Sequence, residues 1–347
     1  MIRTLLLLAL SLGAALGQTS MGIGSPLFNS SSSSSSQLFD AIISKIRNLT
    51  KTWTPGRNPL PPAFYRGSVR LEQLERERLP AGILVLKTEV QLPESFDART
   101  RWPNCPSIGE IRNQGCCGSC WAISAAAIMT DRWCIHSPDS AQFTFGAFDI
   151  LACCKECGNG CDGGDLGPAW TYWVEHGVSS GGPHNSRCGC HPYPFDVCRH
   201  RDEQVPTPKC VRTCQATYNQ TDATQDIRFG REAYSVPMDE SRIMEEIFMN
   251  GPVQATFKMY EDFRVYKSGV YRHVWGPLVT GHAIKIIGWG VEKGTKYWLC
   301  INSWGESWGS KGLFKIIRGE NHLNIERDVH TGLPDYRKHE EMFSFNY

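Results

Sequence analysis

Residues 115–121 read Gly115-Cys116-Cys117-Gly118-Ser119-Cys120-Trp121, and an apolar, alanine-rich run to Met129 follows at once. Gly118 and Ser119 allow a tight turn, and the small and apolar residues after it suit a buried helix beginning at Cys120. Unpaired amide N–H groups and the positive end of the helix dipole converge at such a start. They favour thiolate over thiol and lower the pKa below the free value of about 8.5. Cys120 is therefore read as a nucleophile. Taken alone, a cysteine in so cysteine-rich a chain is more often half of a disulfide, so the decision rests on what the other residues supply.

The chain opens Met1-Ile2-Arg3, then runs through leucines and alanines to Gly17, the pattern of a secretory signal peptide over 1–17. That stretch falls short of the about 20 residues that span a bilayer, which disfavours a membrane anchor, and no later segment is long and apolar enough. A soluble product of the secretory pathway, extracellular or lysosomal, is expected, with most of the 15 cysteines paired. All of them lie between Cys105 and Cys300. Residues 18–91 carry a net charge of about +4 and residues 92–347 about −4, consistent with a basic leader on an acidic body. With near-neutral overall charge and no basic stripe, nucleic acid is not an expected partner.

Seven serines at 30–36 cannot bury apolar surface and are expected to form a disordered linker. Ile42, Ile43, Ile46 and Leu49 predict a short amphipathic helix over 40–51, broken by Trp53-Thr54-Pro55-Gly56-Arg57-Asn58. A second helix-prone piece over 69–78 ends before Pro80, and 83–86 reads as extended. The pattern fits a propeptide over 18–91 lying across a cleft. Residues 92–347 are enough for a sizeable core. Helix signals come first there, after Cys120, over 146–151 and over 168–176. Strand signals follow at 253–258, 282–289, 297–301 and 312–317, short, alternating or β-branched and bounded by glycines. A helical half beside a sheet half predicts an α+β fold with a groove where they meet.

A nucleophilic cysteine needs a base, a group that orients the base, and donors for an oxyanion. Gly281-His282-Ala283 begins one strand segment and Asn302-Ser303-Trp304-Gly305 follows another. His282 is expected to pair with Cys120, and Asn302 to accept from the other ring nitrogen and fix the tautomer. Gln114 would place a side-chain N–H beside the Cys120 amide, and Trp304 and Trp308 would shield the His282–Asn302 bond from water. Singly, His282 reads as a core histidine and Asn302 as a turn residue; together they complete a site. Zinc is the other use of the CxxC spacings at Cys117 to Cys120 and Cys154 to Cys157. A secretory chain oxidises such thiols and no paired histidines complete a set, so neither metal nor cofactor is expected.

The chain resembles the papain family of cysteine proteases, in its cathepsin B-like branch. The CGSCW run, CDGG at 161–164, GGPHNSRCGCHPY at 181–193, YKSGVY at 266–271 and GHAIKIIGWG at 281–290 match in order, and 53–58 resembles that branch's propeptide. The resemblance implies a papain-like two-lobed fold, with a helical left half and a β-sheet or barrel right half. It implies a peptidase acting through Cys120, His282, Asn302 and Gln114 on protein or peptide substrates. Inhibition by its own propeptide, and by cystatin-type proteins, is implied as well. His282 and Asn302 lie 162 and 182 residues after Cys120, more than the about 130 to 150 of plain papain, so extra sequence lies between.

The resemblance further implies disulfides Cys105–Cys134, Cys117–Cys161, Cys153–Cys210, Cys154–Cys157 and Cys190–Cys214. Cys116, Cys120, Cys188, Cys198 and Cys300 remain. Cys188 is expected to pair with Cys198, whose usual partner is missing; separately, Cys116 could capture Cys120 or its disulfide partner and leave a redox-gated enzyme. The insertion that marks this branch, an occluding loop, holds two histidines that bind a substrate's C-terminal carboxylate. Here 198–210 is short, His200 is followed by Arg201, and acidic anchors are replaced by Asn113 and Ser307. Losing such an anchor removes about 1 kcal/mol, so the closed loop is less populated and endopeptidase activity should dominate over release of C-terminal dipeptides. Gly163 and Gly164 are expected to pair with the substrate main chain. Asp328 falls at the base of the S2 pocket, which would admit arginine beside apolar side chains; its bland reading is a solvated surface aspartate. Asn29, Asn48 and Asn219 head glycosylation sequons. A non-catalytic binding or matrix protein on the same fold is the competing reading, disfavoured by the intact Cys120, His282, Asn302 and Gln114.

Overall fold

The computed structural model describes residues 32–59, 69, 79–81, 90–198, 205–218 and 223–338. The chain divides into two units, Met1–Asp40 and Ala41–Tyr347, and apart from the first residues of α1 the described residues belong to the second. The signal peptide, Asn29, 83–86, His200, Arg201 and Asn219 lie outside the described residues.

Helix α1 (Ser32–Leu49) buries Ile42, Ile43 and Ile46. It runs back through the serines, so the expectation of a disordered linker is overturned for 32–36. Serine is only a fraction of a kcal/mol poorer than alanine in a helix, and propagation from an established turn tolerates that. Strand β1 (Trp53–Pro55) follows, then β2 (Phe96–Asp97) and α2 (Ala98–Arg101), capped by the Asp97 carboxylate, which accepts from Arg99 N. Helix α3 (Cys120–His136) is buried continuously from Cys120 to Cys134, and the two charges in that stretch, Asp131 and Arg132, are buried with partners. Helices α4 (Ala147–Cys153) and α5 (Leu166–Glu175) share its core through Ile128, Phe145, Ile150, Trp170 and Trp173. Short strands β3 (Gly181–Gly182) and β4 (His191–Pro192) pair beyond them.

The sheet half comprises β5 (Phe229–Val236), β6 (Val253–Tyr260), β7 (Tyr266–Tyr271), β8 (Leu278–Glu292), β9 (Thr295–Ile301), β10 (Leu313–Ile317) and β11 (Val329–Asp335). Their order is β1-β7-β10-β9-β8-β6-β11-β5, with β2 on β8; among the described strands of this sheet, β10 and β7 alone pair in parallel. One helix, α6 (Glu240–Asn250), joins β5 to β6. Sequence analysis did not single it out: Ile243 and Ile247 are its only buried apolar residues, set among many charges. Gly288 marks a register shift in β8, where a side chain would collide with the Phe96 carbonyl.

Buried polar side chains tie α3 to the sheet half. Lys285 of β8 meets Asp131 at 2.7 Å, and burial pushes the Asp131 carboxyl pKa up against the pull of that ammonium. Arg132 meets Glu246 of α6 at 2.8 Å and donates to the Gly251 and Pro252 carbonyls. Gln254 of β6 donates to the Trp121 carbonyl and Ser124 Oγ and accepts from Trp170 Nε1, each at 2.7 Å.

Disulfides join Cys105–Cys134, Cys116–Cys198, Cys117–Cys161, Cys153–Cys210, Cys154–Cys157 and Cys190–Cys214. Cys198 is thus bonded to Cys116, and the expected Cys188–Cys198 bridge is corrected. Residues 195–196 pass over Gly115, whose φ of 61° suits glycine, and bring Cys198 to the turn before α3. Cys188 is exposed in the turn between β3 and β4, where Gln215 donates to the carbonyls of Cys188 and Gly189. The same bridge occupies Cys116, which excludes it as a trap for Cys120.

Candidate active site

Cys120 is the first residue of α3, wholly buried and outside the disulfides. Across the groove its Sγ accepts from the Ala283 amide at 3.5 Å, which places it beside His282 on β8. His282 Nε2 lies 2.7 Å from Asn302 Oδ1. That oxygen also accepts from Ser303 N at 2.8 Å, which fixes the orientation of the carboxamide. Nε2 therefore carries the proton. Nδ1 makes no hydrogen bond and is the nitrogen left to exchange a proton with the thiol. Burial pushes the imidazole down to about 4, with the Asn302 bond offsetting part of the shift, so the ring is held neutral, as a general base must be.

Trp304 stacks on this ring, with centroids 4.9 Å apart and planes 24° from parallel. Trp308 stands edge-on behind Trp304 at 5.0 Å, so it screens the site through its neighbour. Gln114 is 1% exposed. Its Nε2 donates to the Cys117 carbonyl at 2.9 Å and its Oε1 accepts from Ser303 Oγ at 2.7 Å. An amide nitrogen carries two hydrogens, so this bond does not exhaust it as a donor.

Two residues that sequence reasoning did not single out position these groups. Ser303 holds Gln114 through its hydroxyl and its carbonyl, and Asn302 through its amide. Tyr193 donates to the Gln114 carbonyl at 2.8 Å and lies 2.6 Å from Ser119 Oγ, and burial pushes its phenol pKa up. Both sit inside runs quoted above, which is the only signal they gave.

Gly163 and Gly164 lie beside the nucleophile's helix. Gly163 has φ 117°, and a Cβ on Gly164 would overlap the Trp121 indole, so packing alone demands glycine there. The turn closes through Asn159 N to Gly163 O and Asp165 N to Cys157 O, and Gly164's own amide and carbonyl take no part in it. Asp328 is no solvated surface aspartate: Oδ2 accepts from Thr256 Oγ1 at 2.9 Å and Oδ1 from His330 Nε2 at 2.8 Å. Asn113 accepts from the Gly115 amide at 2.9 Å, Ser307 is exposed, and Asn48 is exposed on α1. Among the described residues no group of three or more acidic, histidine or cysteine side chains is disposed to hold a metal ion, and no helix is long and apolar enough to cross a membrane.

Upstream residues meet this groove. Val69 and Gly281 exchange both N–H···O bonds at 3.0 Å, and Val69, 1% exposed, joins the apolar cluster that contains Cys120. Trp53 of β1 pairs with Gly269, donates from Nε1 to the Arg272 carbonyl at 2.9 Å and packs on Tyr266 and Tyr271. Asn58 donates to the Arg264 carbonyl at 2.8 Å and accepts from Gly309 N at 3.1 Å.

Residues 92–333 match the family model of the papain family cysteine proteases. A cathepsin B-like cysteine proteinase of Schistosoma japonicum is 50% identical over 253 residues, covering 70% of this chain and 74% of its own. Cathepsin B-like cysteine proteinase 5 of Caenorhabditis elegans is 40% identical over 322 residues, covering 86% and 91%. Among solved structures, procathepsin B S9 from Trypanosoma congolense aligns with TM-score 0.74 at 36% identity over 85% of this chain and 98% of that one. Digestive procathepsin L 3 of Tenebrio molitor, at TM-score 0.61 and 21% identity over 85% and 88%, shares the fold. The chain belongs to the papain family of cysteine proteases, is cathepsin B-like, and is a cysteine peptidase.

Proposed function

We propose that this chain is the precursor of an endopeptidase, with 18–91 as inhibitory propeptide and 92–347 as peptidase. The observation that carries the reading is Cys120 Sγ at 3.5 Å from the Ala283 amide, beside a His282 held by Asn302 at 2.7 Å. Cys120 Sγ attacks a peptide carbonyl as its proton passes to His282 Nδ1, and the oxyanion accepts from the Cys120 amide and Gln114 Nε2. The C–N bond breaks as His282 returns the proton to the leaving amine. A thioester is left, which water hydrolyses with the same nitrogen as base. Gly164 supplies a main-chain donor and acceptor to an extended substrate.

Val69 supports the inhibitory role of 18–91, because a substrate strand cannot occupy the edge of Gly281 while Val69 is paired there. Removing that segment opens the groove to protein or peptide substrates and to cystatin-type inhibitors. Dipeptide release is the minor activity, since Asn113 and Ser307 offer no charge to hold an insertion closed over the groove. The insertion is instead pinned at its ends, Cys198 to Cys116 and Cys210 to Cys153. A secretory route, extracellular or lysosomal, suits a chain with six disulfides.

Treating the activated protein with a thiol-directed epoxide and mapping the adduct should find Cys120 labelled; an unlabelled Cys120 refutes the peptidase mechanism. Timed mass spectrometry of a digested peptide should show internal cuts. A ladder shortening by two residues from the C-terminus refutes the endopeptidase assignment.

A further inference from the structure

Ser119 stands where a capping serine belongs, immediately before Cys120, and does not cap α3. An N-cap hydroxyl ordinarily accepts from the second or third amide of its helix, with the serine backbone extended. Ser119 instead has φ −106° and ψ 18°, and its hydroxyl makes no hydrogen bond to the helix. Its Oγ lies 2.6 Å from the Tyr193 hydroxyl. A proton count fixes the direction of that contact. The Gln114 carbonyl can only accept, so the single phenolic hydrogen goes there, at 2.8 Å, and the Ser119 hydroxyl donates to the Tyr193 oxygen. Backbone bonding in α3 begins with Ala122 and Ile123, whose amides both donate to the Ser119 carbonyl, at 3.0 and 2.9 Å. The Trp121 amide, the second of the helix, donates to no carbonyl or hydroxyl among the described residues. Tyr193 is itself well anchored. It is buried just after β4, its amide donates to the Gly182 carbonyl at 2.8 Å, and five residues on the chain is bonded to Cys116 through Cys198.

We propose that Tyr193 is a positioning residue for peptide cleavage: its one phenol draws the Ser119 hydroxyl away from the start of α3, which leaves the Trp121 amide to the Cys120 thiolate, and holds Gln114 in place as oxyanion donor. The inference rests on the reading of Cys120 as nucleophile and Gln114 as oxyanion donor. A serine that capped the helix would satisfy the amide of the residue next to the thiol, at the positive end of the helix dipole, and withdraw it from the sulfur. Diverting that serine forgoes a stabilising cap and keeps the donor open to developing negative charge. The same phenol closes the turn 114–119 across its two ends, while the Gln114 amide is held from the other lobe by the Ser303 carbonyl at 2.9 Å. The tyrosine needs its proton for both contacts, and burial keeps it there by pushing the phenol pKa up.

The test compares activated wild type with Tyr193→Phe, which keeps the ring and removes the hydroxyl. The rate of Cys120 alkylation by iodoacetamide is followed against pH, read by mass spectrometry at the Cys120 peptide because Cys188 is an exposed thiol. Tyr193→Phe should move the acid limb of that profile up by about one pH unit, the size of one hydrogen bond to a charged group. It should also lower kcat about tenfold with KM changed less than about twofold. Adding Ser119→Ala removes the hydroxyl that turns to the helix and should return the alkylation profile to that of wild type, while the part of the kcat loss that comes from Gln114 persists. An unmoved profile in Tyr193→Phe overturns the role, as does a shift that Ser119→Ala fails to reverse. A lower urea midpoint with neither rate changed marks a merely structural tyrosine and overturns it too. If Tyr193→Phe does not fold, Ser119→Asn, a strong neutral cap, should produce the same upward shift, and its absence is equally decisive. Turnover by Cys120→Ala would sink the peptidase reading itself; an inert Cys120→Ala beside a normal Tyr193→Phe removes only the role of the tyrosine.

Discussion

The helical half of this molecule is stapled, whereas the sheet half is only packed. All six disulfides fall between Cys105 and Cys214. Cys300, in the sheet half, is a buried thiol outside them, and burial pushes its pKa up and keeps it unreactive. Aromatic rings take the place of covalent bonds there: Phe263 has ring centroids 4.9–6.4 Å from Phe257, Tyr266, Trp304, Trp308 and Phe314. Cys120 belongs to the stapled half, and its base and orienting group belong to the packed half. Disulfides act mainly by restricting the unfolded chain, so they cannot by themselves align a thiol with an imidazole on the other lobe. That task falls to the non-covalent crossings, Asp131–Lys285, Arg132–Glu246 and Gln254.

The division of labour is tested most severely at the chemistry itself. Cys120→Ala and His282→Ala, one in each half, should each lower kcat/KM by about 10⁴-fold or more, and the double variant should be no worse than the poorer single one. Losses that multiply in the double variant would show that the two side chains do not act as one unit. Next in size is the crossing pair. Lys285→Met leaves the Asp131 carboxylate buried and unpaired and should remove about 3–5 kcal/mol in chemical denaturation; a loss under about 1 kcal/mol would mean that the lobes are aligned by something else. Replacing Cys116 and Cys198 together by serine should cost about 2–4 kcal/mol. Hydrogen exchange should report that loss around 115–120 and 195–198 while protection of β8 and β9 stays unchanged, and equal loss in both halves would erase the contrast.

The smallest effect concerns pH. His136, at the end of α3, lies with Nε2 3.0 Å from the Asn250 carbonyl, and burial, helped by the Arg132 charge, pushes its pKa down to about 4. Between pH about 6.5 and 4 the unfolded chain therefore binds a proton that the folded chain does not, so stability falls as pH falls through that window. His136→Gln should flatten this part of the stability profile relative to wild type, measured as urea midpoints at pH 7 and 4.5. Parallel profiles would remove His136 from the linkage.

Local pattern revealed the site better than it revealed the supports. Cys120, His282 and Asn302 were legible because each stands in a run whose composition also builds its element: the alanine-rich start of α3, the β-branched β8, and the turn after β9. Helix α6 was poorly legible, since its two buried isoleucines, four residues apart, stand among charges that dilute the stripe, and β5, β7 and β11 were not singled out as strands. Tyr193, Ser303 and Gln254 carry no distinguishing signal in one dimension. A tyrosine, a serine and a glutamine acquire roles only when a partner many residues away arrives at hydrogen-bonding distance, as Gln114 does for Tyr193 at 2.8 Å.

By itself, the sequence determined the chemistry: a helix-start thiol, an imidazole with its carboxamide, the family to which they belong, and a cysteine-rich half distinct from a strand-rich one. Those features are local, set by residue type and short spacing. Tertiary structure alone decided that Cys198 bonds Cys116 and leaves Cys188 exposed, that Asp328 is engaged by His330, and that Val69 lies against Gly281. Each of these depends on which distant segments the closed loops bring within a few ångströms of one another, and chain spacing does not encode that distance.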